Sequence, residues 1–287
     1  MLATGTRVDR YEIVAPRGEG LFEARDRRSG RRVDVRVVES DHRRVVAEAQ
    51  SAAAVRSPHA VPVREILRAR GHTFLVLEHA GETTLRAHLP SAATLERRVR
   101  WLCDLARGLA AVHAVGLVHR DVEPRRVWIG RDDRARLDVG AAVRTKKDHA
   151  GAPGYIAPEQ LATGSADARC DQYAWGVTAY ELLVGRKPVG DLRTRRAVAA
   201  HAPELPRGLA AVVGRALAID PDARFPSLAA VADALVPYAL PDAAPAPPAA
   251  SATTLRMPSA AQRGRFAGTA VVAVAIALAF VLLGVMG

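Results

Sequence analysis

Apolar and polar positions alternate over Tyr11–Val14 and again over Val33–Val38, the period-two pattern of half-buried strands, and the turn residues between them predict an antiparallel hairpin. From Val45 to Val55 the pattern lengthens to that of a helix, and Thr73–Leu77 returns to a strand. The longest helical signal runs from Thr94 to Val115. Leu95, Val99, Leu102, Leu105, Leu109 and Val112 fall at spacings of three and four, with Gly116 at the end. A second stripe, Tyr173, Val177, Tyr180 and Leu183, stops at Gly185 and Pro188, and a last helix over Pro226–Val236 stops at Pro237.

Beyond that helix the pattern changes character. Residues 241–265 are rich in Pro, Ala and Ser, a composition that builds no core and reads as a semi-rigid tether. Ala267–Met286 is a nearly unbroken apolar run, interrupted in its polarity only by Thr269. As a helix at ~1.5 Å per residue it spans a ~30 Å hydrocarbon core, whereas a helix buried in a protein usually keeps a polar stripe. Arg256, Arg263 and Arg265 precede it, and positive flanks stay on the cytoplasmic side. The expectation is a single-pass helix over residues 266–287 in the cytoplasmic membrane, with the folded part facing the cytoplasm. The first residues of the chain carry no charged, apolar and small-residue export pattern.

With 287 residues and 49% hydrophobic content the chain can bury a large core, and it is not a disordered tail protein. The formal charge of +11 raises the possibility of a nucleic-acid partner, but the positive residues are spread from Arg7 to Arg265 with little aromatic interleaving. A solvated basic surface is the better reading, and no nucleic-acid partner is expected. Of the 41 basic residues only Lys146, Lys147 and Lys187 are lysines. Cys103 and Cys170 have no metal or redox spacing and read as reduced structural thiols.

Three linked motifs carry chemistry. His119–Val127 reads HRDVEPRRV, LDVG ends at Gly140, and GAPGYIAPEQ ends at Gln160. In that order and spacing they resemble the catalytic loop, the metal-binding Asp motif and the activation-segment anchor of bacterial, eukaryotic-type serine/threonine protein kinases, and kinase-like sequence continues from Tyr11 to about Val236. The resemblance implies an α+β, two-lobed kinase-like fold: a tail over 1–10, a small β-rich N-lobe over 11–80 with a hinge at Glu78–Ala80, and a larger helical C-lobe over 81–240. It gives Asp121 the place of the catalytic base, Asp138 that of the principal magnesium ligand, and Glu48 that of the helix glutamate reaching the phosphate-binding strand residue. Asp171 takes the place of the aspartate that holds the catalytic loop, and Arg224 that of the arginine pairing with Glu159.

Other positions depart from the family pattern. Gly18 and Gly20 match the first two glycines of the phosphate loop, but about four residues of its tip are missing. Asp34 stands where a small residue roofs adenine, and Arg36 where lysine pairs the phosphates. The two share one face of a strand, so a pair with Arg36 would offset the cost of burying the Asp34 charge. For Glu48 both a pair with Arg36 and plain solvent exposure remain open. Glu123 replaces the catalytic-loop lysine, Arg126 the metal-binding asparagine, and Trp128 the leucine that floors adenine. Arginine donates hydrogen bonds but cannot ligate a cation. Asp121, Asp138, Glu123 and Arg126 are therefore the candidate catalytic positions. Gly18, Gly20, Asp34, Arg36, Glu48 and Trp128 are the nucleotide positions, and Asp138 is the metal position. The departures cluster in the cleft, which favours a membrane-anchored pseudokinase acting on a protein partner as a binding or scaffold module. The alternative is an active serine/threonine kinase of low turnover, with ATP and Mg2+ as cofactors if active and none otherwise, acting on a protein substrate.

Overall fold

The computed structural model describes residues 2–239 except positions 19, 41, 70, 90–92, 144–150 and 189–195. The tether and the apolar run over 267–286 lie outside the described residues, and among the described residues no helix is long and apolar enough to cross a membrane.

The chain opens with β1 (Arg7–Val8), β2 (Tyr11–Gly18), β3 (Leu21–Asp26) and β4 (Arg32–Val38), continues through helix α1 (Arg43–Ala54), and completes the sheet with β5 (Val63–Ala69) and β6 (His72–Glu78). The six strands lie in the order β1-β2-β3-β4-β6-β5, each neighbour antiparallel. The sequence pattern anticipated β2 and β4 as a hairpin. They are instead separated by β3, whose charged Glu23, Arg25 and Asp26 disguise a strand that pairs Phe22 with Val35 and Ala24 with Val33. The turn from β2 to β3 is tight, since Gly18 already pairs with Leu21. A phosphate loop this short has no arch to lay over a nucleotide.

Alternation along β4 works as the sequence suggests. Val33 and Val35 join Ile13, Phe22, Ala24, Phe74 and Val76 in an apolar cluster on one face. Asp34, Arg36 and Val38 occupy the other face, where Val38 packs with Leu21, Leu75, Leu77 and the buried side of α1. That second cluster runs on without a break into the helical part of the molecule.

There β7 (Thr83–Thr84), β8 (Val127–Ile129) and β9 (Ala135–Leu137) form a small sheet beside α2 (Leu85–His88). Helix α3 (Leu95–Ala114) is capped by the Thr94 side chain, which accepts from the Arg97 N–H, and ends one residue short of Val115. Its apolar stripe is buried against β9, α5 (Ala168–Val184) and α8 (Leu228–Leu235), with α4 (Pro158–Thr163) preceding them in the chain and α6 (Arg196–His201) and α7 (Arg207–Ala216) between α5 and α8. Helix α5 is buried on nearly all sides rather than along one stripe, Trp175 as deeply as Tyr180. It is the central element of the larger part, and its C-terminus is closed by Gly185 at φ 83°. Cys103 and Cys170 are both buried and free.

Candidate active site

Helix α5 fixes the catalytic-position loop through one carboxylate. Asp171 accepts from the backbone N–H of His119 at 2.8 Å, from the N–H of Arg120 at 2.7 Å and from the His113 ring at 2.8 Å. These bonds hold Arg120 at φ 64°, a left-handed conformation that a non-glycine residue adopts only when its surroundings enforce it. His119 is fully buried, and burial pushes its pKa down, so its ring is neutral. Its Nε2 donates to the Asp138 carbonyl at 3.0 Å, and its Nδ1 accepts from the Asp121 N–H at 3.3 Å. Through one imidazole the positions of Asp121 and Asp138 are therefore coupled.

Both carboxylates meet arginines. Asp121 is 3% exposed and accepts from Arg126 Nε at 2.7 Å, so the group at the base position is engaged by the residue that replaced the metal-binding asparagine. Arg36 reaches across from β4 to Oδ2 of Asp138. Gly140 makes room for that arm: a Cβ there would stand 3.3 Å from Arg36 Cδ and 3.0 Å from Leu77 Cδ2. Oδ1 of Asp138 is buried and has no hydrogen-bond partner among the described residues.

A third pair was missed in the sequence. Asp34 does not turn to Arg36; it accepts from Arg17 Nη1 with both oxygens at 2.8 Å. The Arg17 guanidinium also donates to the Gly81 carbonyl and, at 2.7 Å, to His79 Nδ1, and it lies over the Trp128 ring, 4.1 Å from its centre. His79 Nδ1 also stands 3.2 Å from Asp34 Oδ1, and its Nε2 stands 3.5 Å from Glu82. Gly81 permits the close approach, because a Cβ at its φ of 150° would lie 2.5 Å from the Ile129 carbonyl oxygen. Trp128 is where sequence placed it, but its exposed face is covered by an arginine from β2. The signal available was Asp34 itself: a carboxylate on a buried face demands a cation, and Arg17 ends the neighbouring strand but one.

Glu48 finds a partner that neither of its two open readings named. Arg120 Nη2 donates to Glu48 at 2.9 Å and to the Ala142 carbonyl at 3.0 Å, and Arg44 stands 3.8 Å away on the same helix. The Arg120–Glu48 pair ties helix α1 to the catalytic-position loop.

Glu123 faces the same cleft. Its pKa is raised, first by burial and then by the charge of Asp121, with Arg126 at 4.0 Å opposing. Gly18 and Gly20 form the tight turn and present no extended loop. Glu159 and Arg224 form the anticipated pair, fork to fork at 2.6 and 2.8 Å. The remaining Arg224 donors go to the carbonyls of Ala218, Arg169 and Ile219. Burial works against the Glu159 carboxylate, but the hydrogen bonds and charge of Arg224, its own backbone N–H and the Cys170 thiol together hold its pKa below the ordinary value.

These residues do not fit ATP with magnesium in the kinase manner. The slot above Trp128 is filled by Arg17, one oxygen of Asp138 is taken by Arg36, and Arg126 has no lone pair to offer a cation. Among the described residues no three His, Cys, Asp or Glu side chains converge as metal ligands. Oδ1 of Asp138 would suit a cation.

A two-lobed molecule with an Asp-bearing loop between sheet and helices defines a class, and comparison with known proteins names it. The sequence profile of the protein kinase domain matches residues 22–227. Serine/threonine-protein kinase pkn2 of Myxococcus xanthus is 31% identical over 265 residues, covering 79% of this chain and 32% of that protein. Serine/threonine-protein kinase PknB of Mycolicibacterium smegmatis is 31% identical over 260 residues, covering 77% of this chain and 41% of that protein. The kinase domain of PknI from Mycobacterium tuberculosis superposes with a TM-score of 0.69 at 27% identity, covering 83% of this chain and 100% of that domain. This chain belongs to the protein kinase family, among bacterial serine/threonine kinase relatives, and it spans only about a third to two-fifths of the length of these two curated relatives.

Proposed function

We propose that this chain is a pseudokinase, a kinase fold retained as a binding or scaffold module for a protein partner and anchored in the cytoplasmic membrane by residues 266–287 with its folded part facing the cytoplasm. The observation that carries the reading is that each of three buried cleft carboxylates is engaged by an arginine of the chain itself: Asp34 by Arg17, Asp138 by Arg36 and Asp121 by Arg126. Phosphoryl transfer depends on positioning and on electrostatic stabilisation of the transferred group, and here the positioning groups are spent on one another. Glu123, at a position that carries a cation in the family, adds negative charge where the phosphates would lie. The scaffold of the larger lobe is intact, which suits a module kept for its surface rather than its chemistry.

A low-turnover serine/threonine kinase remains the second reading. It is favoured by the orphaned Oδ1 of Asp138 and by the kinase names of the relatives, and it would use ATP and Mg2+. Radiolabelled phosphate transfer to a generic acceptor protein, with Asp121→Asn as control, separates the two. No transfer above that control supports the pseudokinase, and transfer abolished by the substitution supports the kinase.

A further inference from the structure

The slot occupied by Arg17 has the composition of a receptor in its own right. Its floor is the face of Trp128, and the oxygens turned into it, both of Asp34 and the Gly81 carbonyl, accept hydrogen bonds, while His79 Nδ1 stands 2.7 Å from the guanidinium. An aromatic plane beneath a ring of acceptors matches a flat cation with in-plane donors. Adenine is a poor match, because it brings acceptors of its own and leaves the Asp34 charge uncompensated. A compact ammonium satisfies the charge but does not cover the ring.

Asp34 is 3% exposed in its side chain, so its charge is favoured by a cation beside it. Arg17 is the resident, and its place in the chain suits a resident that can leave. It sits at the end of β2, followed by Gly18 at φ 146° and Gly20 at φ 62°, and the pairing of β2 with β3 is irregular between Pro16 and Gly18. Withdrawing the Arg17 arm opens the slot without breaking the regular part of either strand.

We propose that this slot is a binding site for a guanidinium group, held in the present structure by Arg17 in cis and open to a guanidinium in trans, either a small compound or the arginine side chain of a peptide. This rests on the reading that the cleft does not take ATP. The test uses the full-length chain in detergent, as wild type and as Arg17→Ala, with thermal unfolding followed against millimolar methylguanidinium, methylammonium, acetyl-Gly-Arg-Gly-amide and ATP with magnesium. Methylguanidinium is expected to raise the melting temperature of Arg17→Ala saturably, with methylammonium ineffective and wild type unresponsive at the same concentrations. A tenfold lower half-saturating concentration for the peptide assigns the natural ligand to a protein, and equal values assign it to a small molecule. Arg17→Lys, which keeps a cation beside Asp34, serves if Arg17→Ala fails to fold, and methylguanidinium must stabilise it too. Absence of any guanidinium response, or an equal response to methylammonium, overturns the inference. A wild-type response to ATP with magnesium would overturn the reading beneath it, so the two failures are told apart by different arms.

Discussion

Arg17 Nη1 lies 2.8 Å from both carboxylate oxygens of Asp34, with side-chain exposures of 9% and 3%, so strand β2 and strand β4 share a buried ion pair at the mouth of the cleft. Breaking such a pair from one side leaves the other charge buried alone, at about 3 to 5 kcal/mol. Arg17→Ala should therefore destabilise the protein by roughly that amount in urea unfolding. Adding Asp34→Ala should return part of the loss, since it removes the stranded charge. A double variant less stable than Arg17→Ala would contradict this account of the pair.

The Glu159–Arg224 pair makes the same argument far from the cleft. Arg224 has 0% side-chain exposure and Glu159 24%, so Glu159→Ala should cost about 3 to 5 kcal/mol, or ~6 to 20 °C in melting temperature. Glu12→Ala is the matched control. Its partner Arg27 is 3.8 Å away and both are about half exposed, so the loss should stay under ~1 kcal/mol. Equal effects of the two substitutions would remove the case for a retained scaffold.

Glu123 sets a pH dependence. Its folded pKa lies above the ordinary 4.5 because burial, and then Asp121, disfavour its charge, so the folded state holds the proton more tightly than the unfolded one. Below pH 4.5 both states are protonated and the group is without penalty. As pH rises through the raised folded value, stability is lost. Glu123→Gln should hence melt higher than wild type at pH 8 and alike at pH 4, provided each variant is compared with wild type in the same buffer. A difference that grows toward acid pH would reverse the sign and contradict the burial argument.

Much of this was legible in the sequence because motif residues bond to one another or to another motif's backbone. Asp171, Glu159 and Arg224 do the same work wherever their motifs occur, and the stripe of Val99, Leu102, Leu105 and Leu109 has one helical interpretation. The arginine pairs were less legible. Arg17, Asp34, His79 and Trp128 meet only when β2, β4, the hinge and β8 converge, and no spacing encodes that meeting. In sequence terms Arg36 had Asp34 and Glu48 to choose from, and its bond to Asp138 depends on where Gly140 leaves space. Strand β3 was hidden by Glu23, Arg25 and Asp26, which leave only Leu21, Phe22 and Ala24 as its buried positions.

The proposed membrane attachment rests on the apolar run over 267–286. The full-length protein should sediment with membranes and be released by detergent but not by high salt, and removing the residues after Arg265 should yield a soluble domain. Recovery of the full-length chain in the supernatant without detergent would end that part of the proposal.

The central claim is that three arginines have closed the cleft to ATP with magnesium. Thermal unfolding of the wild-type chain with and without millimolar ATP and MgCl2 tests it most directly. A ligand at ~100-fold excess over its dissociation constant adds ~2.7 kcal/mol to stability, a shift of several degrees. The account predicts no shift. A magnesium-dependent rise that Asp138→Asn abolishes would contradict it and return the chain to the active kinases.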